Sequence, residues 1–386
     1  MERIEPLNEF IVKIASRCNL NCDYCYEFNL GDESWRGQPK LMSEKVVATL
    51  ARRIREHALA HGINRVFISL HGGEPLMVGA ERLDRICQTF RGLLAGAVEP
   101  ILTTQTNGVL LDERIIEVIV KHDVSVSVSI DGVKTFHDRH RNDHRGRGSY
   151  DRVVAGIARL KRLAPNNLSG LLSVIDVESD PQETLDAIAA FGVTHVDFLL
   201  PHHNWDTPPP RPGADPYAYG KWYFQVYSAW VSDRYPRLSI RFLENIVSQL
   251  AGGHSTFEAM TLSPCTLITI ATDGGIEGVD CLKSTASGIQ KLGLNIGMTS
   301  FDEVVRHNLV SVRQSGETQL SDTCKGCDLK AVCAGGYFPH RWSRSRQFDN
   351  PSVYCEDLAW LIRRIDEDLR SRLKKRKHAD LSFGLS

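Results

Sequence analysis

Short apolar runs alternate with longer amphipathic stretches along the first 200 residues. Segments 10–15, 65–70, 101–105, 124–130, 168–175 and 195–200 are rich in β-branched and other apolar residues, which predicts strands. Between them apolar residues recur at helical spacing. One such stretch starts after Ser43, an N-cap candidate, runs through Val46, Val47, Leu50 and Ile54, and stops at Gly62. Six βα units in series predict an α/β fold with a parallel sheet under covering helices. Six units fall short of the eight of a closed barrel, so the expectation is a partial (β/α)6 barrel with a wide lateral mouth.

Segment 201–216, PHHNWDTPPPRPGADP, reads as a loop. It follows the sixth strand, at the end of a barrel where catalytic residues gather. A helical stretch follows over 217–233. A domain boundary is expected near residue 235, dividing a barrel (1–235) from a cysteine-rich domain with a C-terminal helix (236–386). The basic run 374–377 reads as a solvated helix end.

Composition narrows the function classes. A chain that is 42% hydrophobic and 24% charged fits a soluble globular protein. A net charge of −1 gives no general affinity for nucleic acid or membranes. No apolar run approaches the roughly 20 residues needed to cross a bilayer. The N-terminal MERIEPLNEF has no apolar signal region, so the expected location is cytoplasmic. Disulfides are disfavoured there, so the ten cysteines need another reason. Cys87, inside the helical run 80–94, reads as a small buried apolar residue. The other nine fall in two regions.

Cys18, Cys22 and Cys25 share one loop after the first strand. Three thiolates can hold three irons of a cubane and leave the fourth iron open. The alternative is a zinc site completed by a distant His, although zinc loops favour paired hooks. Polar residues end the next strands: His71-Gly72-Gly73-Glu74-Pro75, Gln105-Thr106-Asn107-Gly108 and Ser129-Ile130-Asp131-Gly132. Gly72 and Gly73 let backbone approach a ligand closely, and Glu74 can accept hydrogen bonds from an ammonium group. An ordinary tight turn is the alternative. Further on, Cys324, Cys327, Cys333 and Cys355 supply four thiolates, enough for a closed cluster or a zinc site.

The segment SRCNLNCDYCY, with Tyr24 before the third cysteine, resembles the signature of the radical S-adenosylmethionine (SAM) superfamily. The turn Gly72–Pro75 resembles its GGEP motif. The resemblance implies a [4Fe–4S] cluster whose open iron chelates the amino and carboxylate groups of SAM. Reduction then yields a 5′-deoxyadenosyl radical that abstracts a substrate hydrogen. It also implies that Ser129 and Asp131 lie near the ribose and methionine parts of SAM, with Gln105 and Asn107 on the same rim. Arg141 would reach the SAM carboxylate. The four-cysteine set resembles the SPASM extension of radical SAM enzymes that modify peptides and proteins, which implies an auxiliary [4Fe–4S] cluster. In that pattern Cys265 and Cys281, flanking the hairpin-like TLITIATDGGIEGVD, would serve a further auxiliary cluster. Tyr337 stands where another cysteine is expected. That site is expected to be empty, with completion by other ligands as the alternative.

Segments VDFLLPHHNWDTPP, TDGGIEGVDCLKS, CAGGYFPHRWS and FDNPSVYC carry a narrower resemblance, to the SPASM maturases that form three-residue cyclophanes. It implies a ribosomal precursor peptide in which an aromatic ring carbon is joined to a β-carbon two positions on. It also implies an electron donor such as a flavodoxin or ferredoxin. Sulfatase maturases of this class carry an acid just after the hairpin's second cysteine. Leu282 stands there, which argues against sulfatase maturation. Loss of a ring proton calls for a base. Asp280 is the candidate, with His202, His203 and Asp206 as runners-up. Other peptide or protein chemistry (oxidation, epimerisation, thioether formation) is the second expectation, and a non-catalytic iron–sulfur or zinc scaffold the third. With no separate leader-binding segment evident, the peptide is expected on the open barrel side, the SPASM surface or a partner protein.

Overall fold

The computed structural model describes residues 4–383. Ten strands form one sheet: β1 (Glu9–Ala15), β2 (Arg65–Gly72), β3 (Glu99–Thr106), β4 (Ser125–Ser129), β5 (Leu168–Val174), β6 (His195–Leu199), β7 (Ser239–Ile240), β8 (Leu267–Ile270), β9 (Gly275–Glu277) and β10 (Lys291–Asn295). Their spatial order is β10-β9-β8-β1-β2-β3-β4-β5-β6-β7. Neighbours from β1 to β7 pair in parallel, and β8 adds to the free side of β1, also in parallel. The antiparallel β8–β9 hairpin and β10 continue from there, so the sheet ends on β10 and β7. All six strands read from the sequence are present, with ends shifted by one or two residues. The sheet continues across residue 235, through β7.

Helices α1 (Glu44–His61), α2 (Ala80–Leu94) and α3 (Glu113–Lys121) join the first four strands. The Ser43 hydroxyl accepts from the Val46 amide at 3.3 Å, and Gly62 ends α1 in the left-handed region. Val47, Leu50, Ala51, Ile54 and Ala58 bury one face of α1. Cys87 is buried in the apolar core. Helices α4 (Lys134–His140) and α5 (Tyr150–Leu163) join β4 to β5, and α6 (Pro181–Ala190) joins β5 to β6.

Burial alternates along β2, β3 and β4. Val66, Ile68, Leu70, Val126 and Val128 are buried, whereas Ser69, His71, Thr103, Gln105, Ser127 and Ser129 are half-buried. Successive strand residues point to opposite faces. In β2, β3 and β4 one face is therefore mostly apolar and the other mostly polar.

Loop 201–216 includes the short helical turn Pro212–Ala214. It leads into α7 (Ala218–Ala229), which passes into a π-turn, Trp230–Arg234, and then α8 (Arg241–Leu250). The C-terminal helix, Cys355–Phe383, is anchored on α7. The Asp357 carboxylate accepts from the Tyr219 and Gly220 amides at 2.9 and 3.0 Å and pairs with Arg211 at 2.7 Å. Of the basic run, Lys374 and Lys375 are exposed, and the remaining side chains lie outside the described ones. Among the described residues no helix is long and apolar enough to cross a membrane.

Candidate active site

The cysteine loop starts where the β1–β2 register shifts between Lys13 and Ala15. The end of β2 holds it from beneath. The Gly73 amide donates to the Ala15 carbonyl at 3.0 Å, and the Glu74 amide to the Arg17 carbonyl at 2.9 Å. A Cβ on Gly72 would stand 1.9 Å from the Ala15 oxygen, and one on Gly73 2.5 Å from the Arg17 oxygen. The glycines expected to admit a ligand thus bring β2 against the cysteine loop. Arg17 braces the loop from outside, donating to the Trp35 carbonyl at 2.8 Å with its guanidinium 4.9 Å from that ring.

Cys18, Cys22 and Cys25 are buried or half-buried in this turn. Burial pushes all three thiols up, Cys25 to about 12, and the neighbouring thiols add to the rise at Cys18 and Cys25. A metal would reverse this by taking the thiolates. Beside them Tyr24 donates to Asp131, and Arg141 donates to the Tyr24 hydroxyl at 2.7 Å. Asp131 also accepts from the Val174 amide at 3.0 Å. Among the described residues, the Nε of Arg141 is buried without a hydrogen-bond partner. Three thiols of one turn beside an unmet guanidinium donor are a donor set that fits a cubane with one open iron and an anionic ligand.

Glu74 is buried, and protein groups already meet its carboxylate. It accepts from Leu76 N at 3.0 Å, Thr106 Oγ1 at 2.7 Å and Asn107 N at 2.8 Å. It ties the β2 turn to the β3 end. Asn107 Nδ2 donates to Asn19 at 2.8 Å and reaches Cys18 Sγ at 3.7 Å. Gln105 donates to the Ser129 hydroxyl at 2.8 Å. Of the rim residues expected from the sequence, Asn107, Asp131 and Arg141 reach the cysteine loop directly, and Gln105 pairs with Ser129 beside them on the strand ends.

A cavity of about 620 Å³ lies beside this rim, lined in part by Asp23, Tyr24, His140, Asp176 and His202. His140 bridges Asp23 and Asp176, whose hydrogen bonds raise it to about 9.

A second cavity, of about 930 Å³, is lined in part by Tyr26, His202, Asp280, Cys281, Tyr337 and His340. Behind Asp280 lies a cluster of buried charges that sequence reasoning missed. Lys13 meets Glu27 at 2.7 Å, Glu277 at 3.2 Å and Asp280 at 3.8 Å, and Lys283 meets Glu27 at 2.6 Å. A lysine inside the otherwise apolar strand EFIVKIA was the available signal, since a buried charge requires partners. Burial would raise the Asp280 carboxyl, but Lys13, His71, Lys283 and the Tyr26 hydroxyl at 3.0 Å hold it below its ordinary value. Asp280 is therefore an anion at neutral pH. His202 is neutral, because burial lowers it to about 4. His203 is turned to the Thr207 carbonyl at 3.0 Å. Asp206 is not brought to the cavity: it is exposed and accepts from the Arg344 amide at 2.9 Å.

In the second cysteine region, Cys333 is pushed up to about 12 by burial and by the charges of Cys355, Cys324 and Cys327. The four thiols lie near enough for their charges to act on one another, and four thiolates are the donor set of a closed cluster. Ala334, Gly335 and Gly336 are all left-handed, and their carbonyls accept from Arg341. Cys265 and Cys281 each meet another side chain. Arg313 donates to Cys265 Sγ at 2.6 Å, and the Tyr337 hydroxyl pairs with Cys281 Sγ at 2.7 Å.

His57, His61 and Asp302 also converge. His57 Nε2 accepts from the Leu7 amide at 3.0 Å, so its Nδ1 carries the proton given to Asp302 at 2.8 Å. That tautomer makes the trio a clamp between α1 and the short helix Phe301–Val304.

Residues 12–196 match the radical SAM superfamily. A cysteine-type anaerobic sulfatase-maturating enzyme of Clostridium perfringens is 22% identical over 361 residues, covering 91% of this chain and 94% of its own. The serine-type enzyme of Bacteroides thetaiotaomicron is 29% identical over 159 residues, 41% of this chain and 37% of its own. Among solved structures, native anSMEcpe with bound AdoMet superposes with a TM-score of 0.79 at 19% identity, covering 93% of this chain and 99% of that one. Streptococcus suis SuiB bound to precursor peptide SuiA gives 0.63 at 16%, covering 91% and 76%.

Proposed function

From the match of residues 12–196 to the radical SAM superfamily, we propose that the protein modifies a ribosomally made precursor peptide, joining an aromatic ring carbon to a side-chain β-carbon. The observation that carries this reading is the cavity of about 930 Å³, which sets the Asp280 anion and neutral His202 beside Tyr26, the residue after Cys25. When bound, the Cys18/Cys22/Cys25 cluster with SAM supplies a hydrogen-abstracting carbon radical, and the Cys324/Cys327/Cys333/Cys355 cluster supplies an electron acceptor. The chain's own residues do the rest. Arg141, braced by Tyr24, would hold the SAM carboxylate, Asp131 and Ser129 would lie by its methionine and ribose parts, and Gln105 and Asn107 would complete the rim. Asp280 accepts the proton that the ring gives up as it regains aromaticity. Lys13 and Tyr26 keep that carboxylate ionised and aimed.

The full-length likeness to a sulfatase-maturating enzyme favours a second reading, oxidation of a Cys or Ser side chain on a protein. One experiment separates the two. Reconstituted, reduced enzyme is incubated with SAM and precursor peptides carrying aromatic-x-x motifs. Crosslinking removes two hydrogens and yields no carbonyl, whereas side-chain oxidation yields an aldehyde that a hydrazide traps. The Cys18→Ala/Cys22→Ala/Cys25→Ala variant should form no 5′-deoxyadenosine. If it still does, the triplet does not hold the active cluster.

A further inference from the structure

Two lysines and two glutamates close a ring of ion pairs beside the cysteine loop. Lys13 meets Glu27 at 2.7 Å and Glu277 at 3.2 Å, and Lys283 meets Glu27 at 2.6 Å and Glu277 at 3.6 Å. Charge alternates around the ring, and none of the four side chains is more than 5% exposed. The members come from separate parts of the chain: β1, the turn after Cys25, β9 and the turn Asp280–Ser284. Buried ion pairs rarely stabilise a fold more than apolar packing does, because desolvation offsets the attraction. A closed ring of them therefore calls for a reason other than stability.

The place of Glu27 supplies that reason. It sits inside the turn that Cys25 opens, where the Phe28 and Asn29 amides donate to the Cys25 carbonyl at 3.2 and 2.8 Å. Its amide and its carboxylate are both near enough to act on the Cys25 sulfur. The same stretch is held again at Asp32, which accepts from Ser287 Oγ at 3.2 Å, the Gly288 amide at 3.3 Å and Gln290 Nε2 at 3.0 Å. The β8–β9 hairpin and the segment after it thus hold the leg by which the chain leaves the third cysteine. An unpaired carboxylate at Glu27 would oppose reduction of a cluster there, since reduction adds an electron and the potential follows local charge. Lys13 and Lys283 offset that charge while fixing the turn.

We infer that Lys13 and Lys283 are positioning residues for the barrel cluster. Through Glu27 they hold the turn that carries Cys25, and they neutralise this anchor, so that the cluster accepts an electron more readily than beside a bare carboxylate. Lys283 makes that property depend on the C-terminal part of the chain. The inference rests on the cluster assigned above to Cys18, Cys22 and Cys25, and not on the chemistry done to the peptide.

The test is a redox titration of reconstituted full-length protein without peptide, reduced by dithionite through mediators and followed by electron paramagnetic resonance. The barrel cluster is the signal that changes when SAM is added to a parallel sample. Lys283→Met leaves Glu27 with Lys13 alone and should lower that cluster's potential, cutting its reduced fraction at a fixed poise about ten-fold. Glu27→Gln should raise the potential, and Lys283→Met/Glu27→Gln should return it close to the unaltered value. The four-cysteine cluster should keep its potential throughout. Opposite shifts in the two single variants support the ring, because a loop merely displaced moves the potential the same way in both. No shift in either, or shifts of one sign, overturns it. If one single variant forms no barrel cluster, the sign of the other's shift decides. If neither forms it, the charge-balanced double variant must, at the unaltered potential, or the inference fails. An unaltered protein with no SAM-responsive signal sinks the cluster assignment and the inference with it, whereas a signal present but unshifted sinks the inference alone.

Discussion

The Tyr337 hydroxyl lies 2.7 Å from the Cys281 sulfur. The phenol stands where the SPASM pattern expects a further cysteine, and it takes up the sulfur that would otherwise face a metal. Arg313 does the same for Cys265, with a guanidinium that is 4% exposed and also donates to the Gly278 carbonyl at 3.2 Å. A buried cation and a phenol thus each meet one thiol of this pair.

Anaerobically reconstituted protein should therefore hold about eight irons, four in each of two cubanes. Cys265→Ser/Cys281→Ser should leave that number unchanged, while Cys324→Ser should lower it. A content near twelve in the unaltered protein, or loss of iron from the double variant, would restore a cluster to the Cys265/Cys281 site.

Gly72 carries a second prediction. Its φ is 145°, and an added Cβ would stand 1.9 Å from the Ala15 carbonyl oxygen, a backbone atom that cannot swing aside. Gly72→Ala should destabilise the protein by about 1–3 kcal/mol, as overpacking does. Because the displaced segment is the base of the cysteine loop, the barrel cluster should reconstitute poorly while the four-cysteine cluster persists. Full iron content and an unchanged thermal midpoint would contradict this.

Much of this architecture was readable beforehand, and the missing parts share a cause. Six strands and α1 with its cap followed from local patterning, because propensity and capping act within a few residues. The cysteine loop and the strand-end rim followed from motif order. Lys283 on Glu27 and Arg313 on Cys265 did not, because those partners are 256 and 48 residues apart in sequence. Asp206 shows the converse error. Its place in the loop after the sixth strand makes it a candidate, but the loop turns its carboxylate to the Arg344 amide.

His140 gives a pH signature. Its bonds to Asp176 and Asp23 raise its folded pKa to about 9, above the ordinary 6.5. The stabilisation is complete below the unfolded value and is lost as pH rises through about 9. Thermal midpoints of the unaltered protein and His140→Gln should differ most at pH 6 and converge above about 9. A gap that stays constant across this range would show that His140 acts by packing alone.

The assignment of Asp280 is the most exposed to test. Hydrogen abstraction precedes proton loss, so removing the base should strand a later step. Asp280→Asn should leave 5′-deoxyadenosine formation largely intact and suppress the two-hydrogen loss from the peptide. The amide keeps size but loses the charge that Lys13 pairs with at 3.8 Å. Lys13 retains Glu27 at 2.7 Å and Glu277 at 3.2 Å, so the buried cation stays compensated and folding should survive. The carboxyl lies below its ordinary value of 3.8, so in the unaltered enzyme it stays ionised across the neutral range. Crosslinking should then show no titration step from this group above about pH 5. If Asp280→Asn crosslinks normally while His202→Ala does not, the neutral imidazole takes the proton and Asp280 serves to orient Tyr26. If both crosslink normally, the ring proton leaves to water, and neither residue is the base.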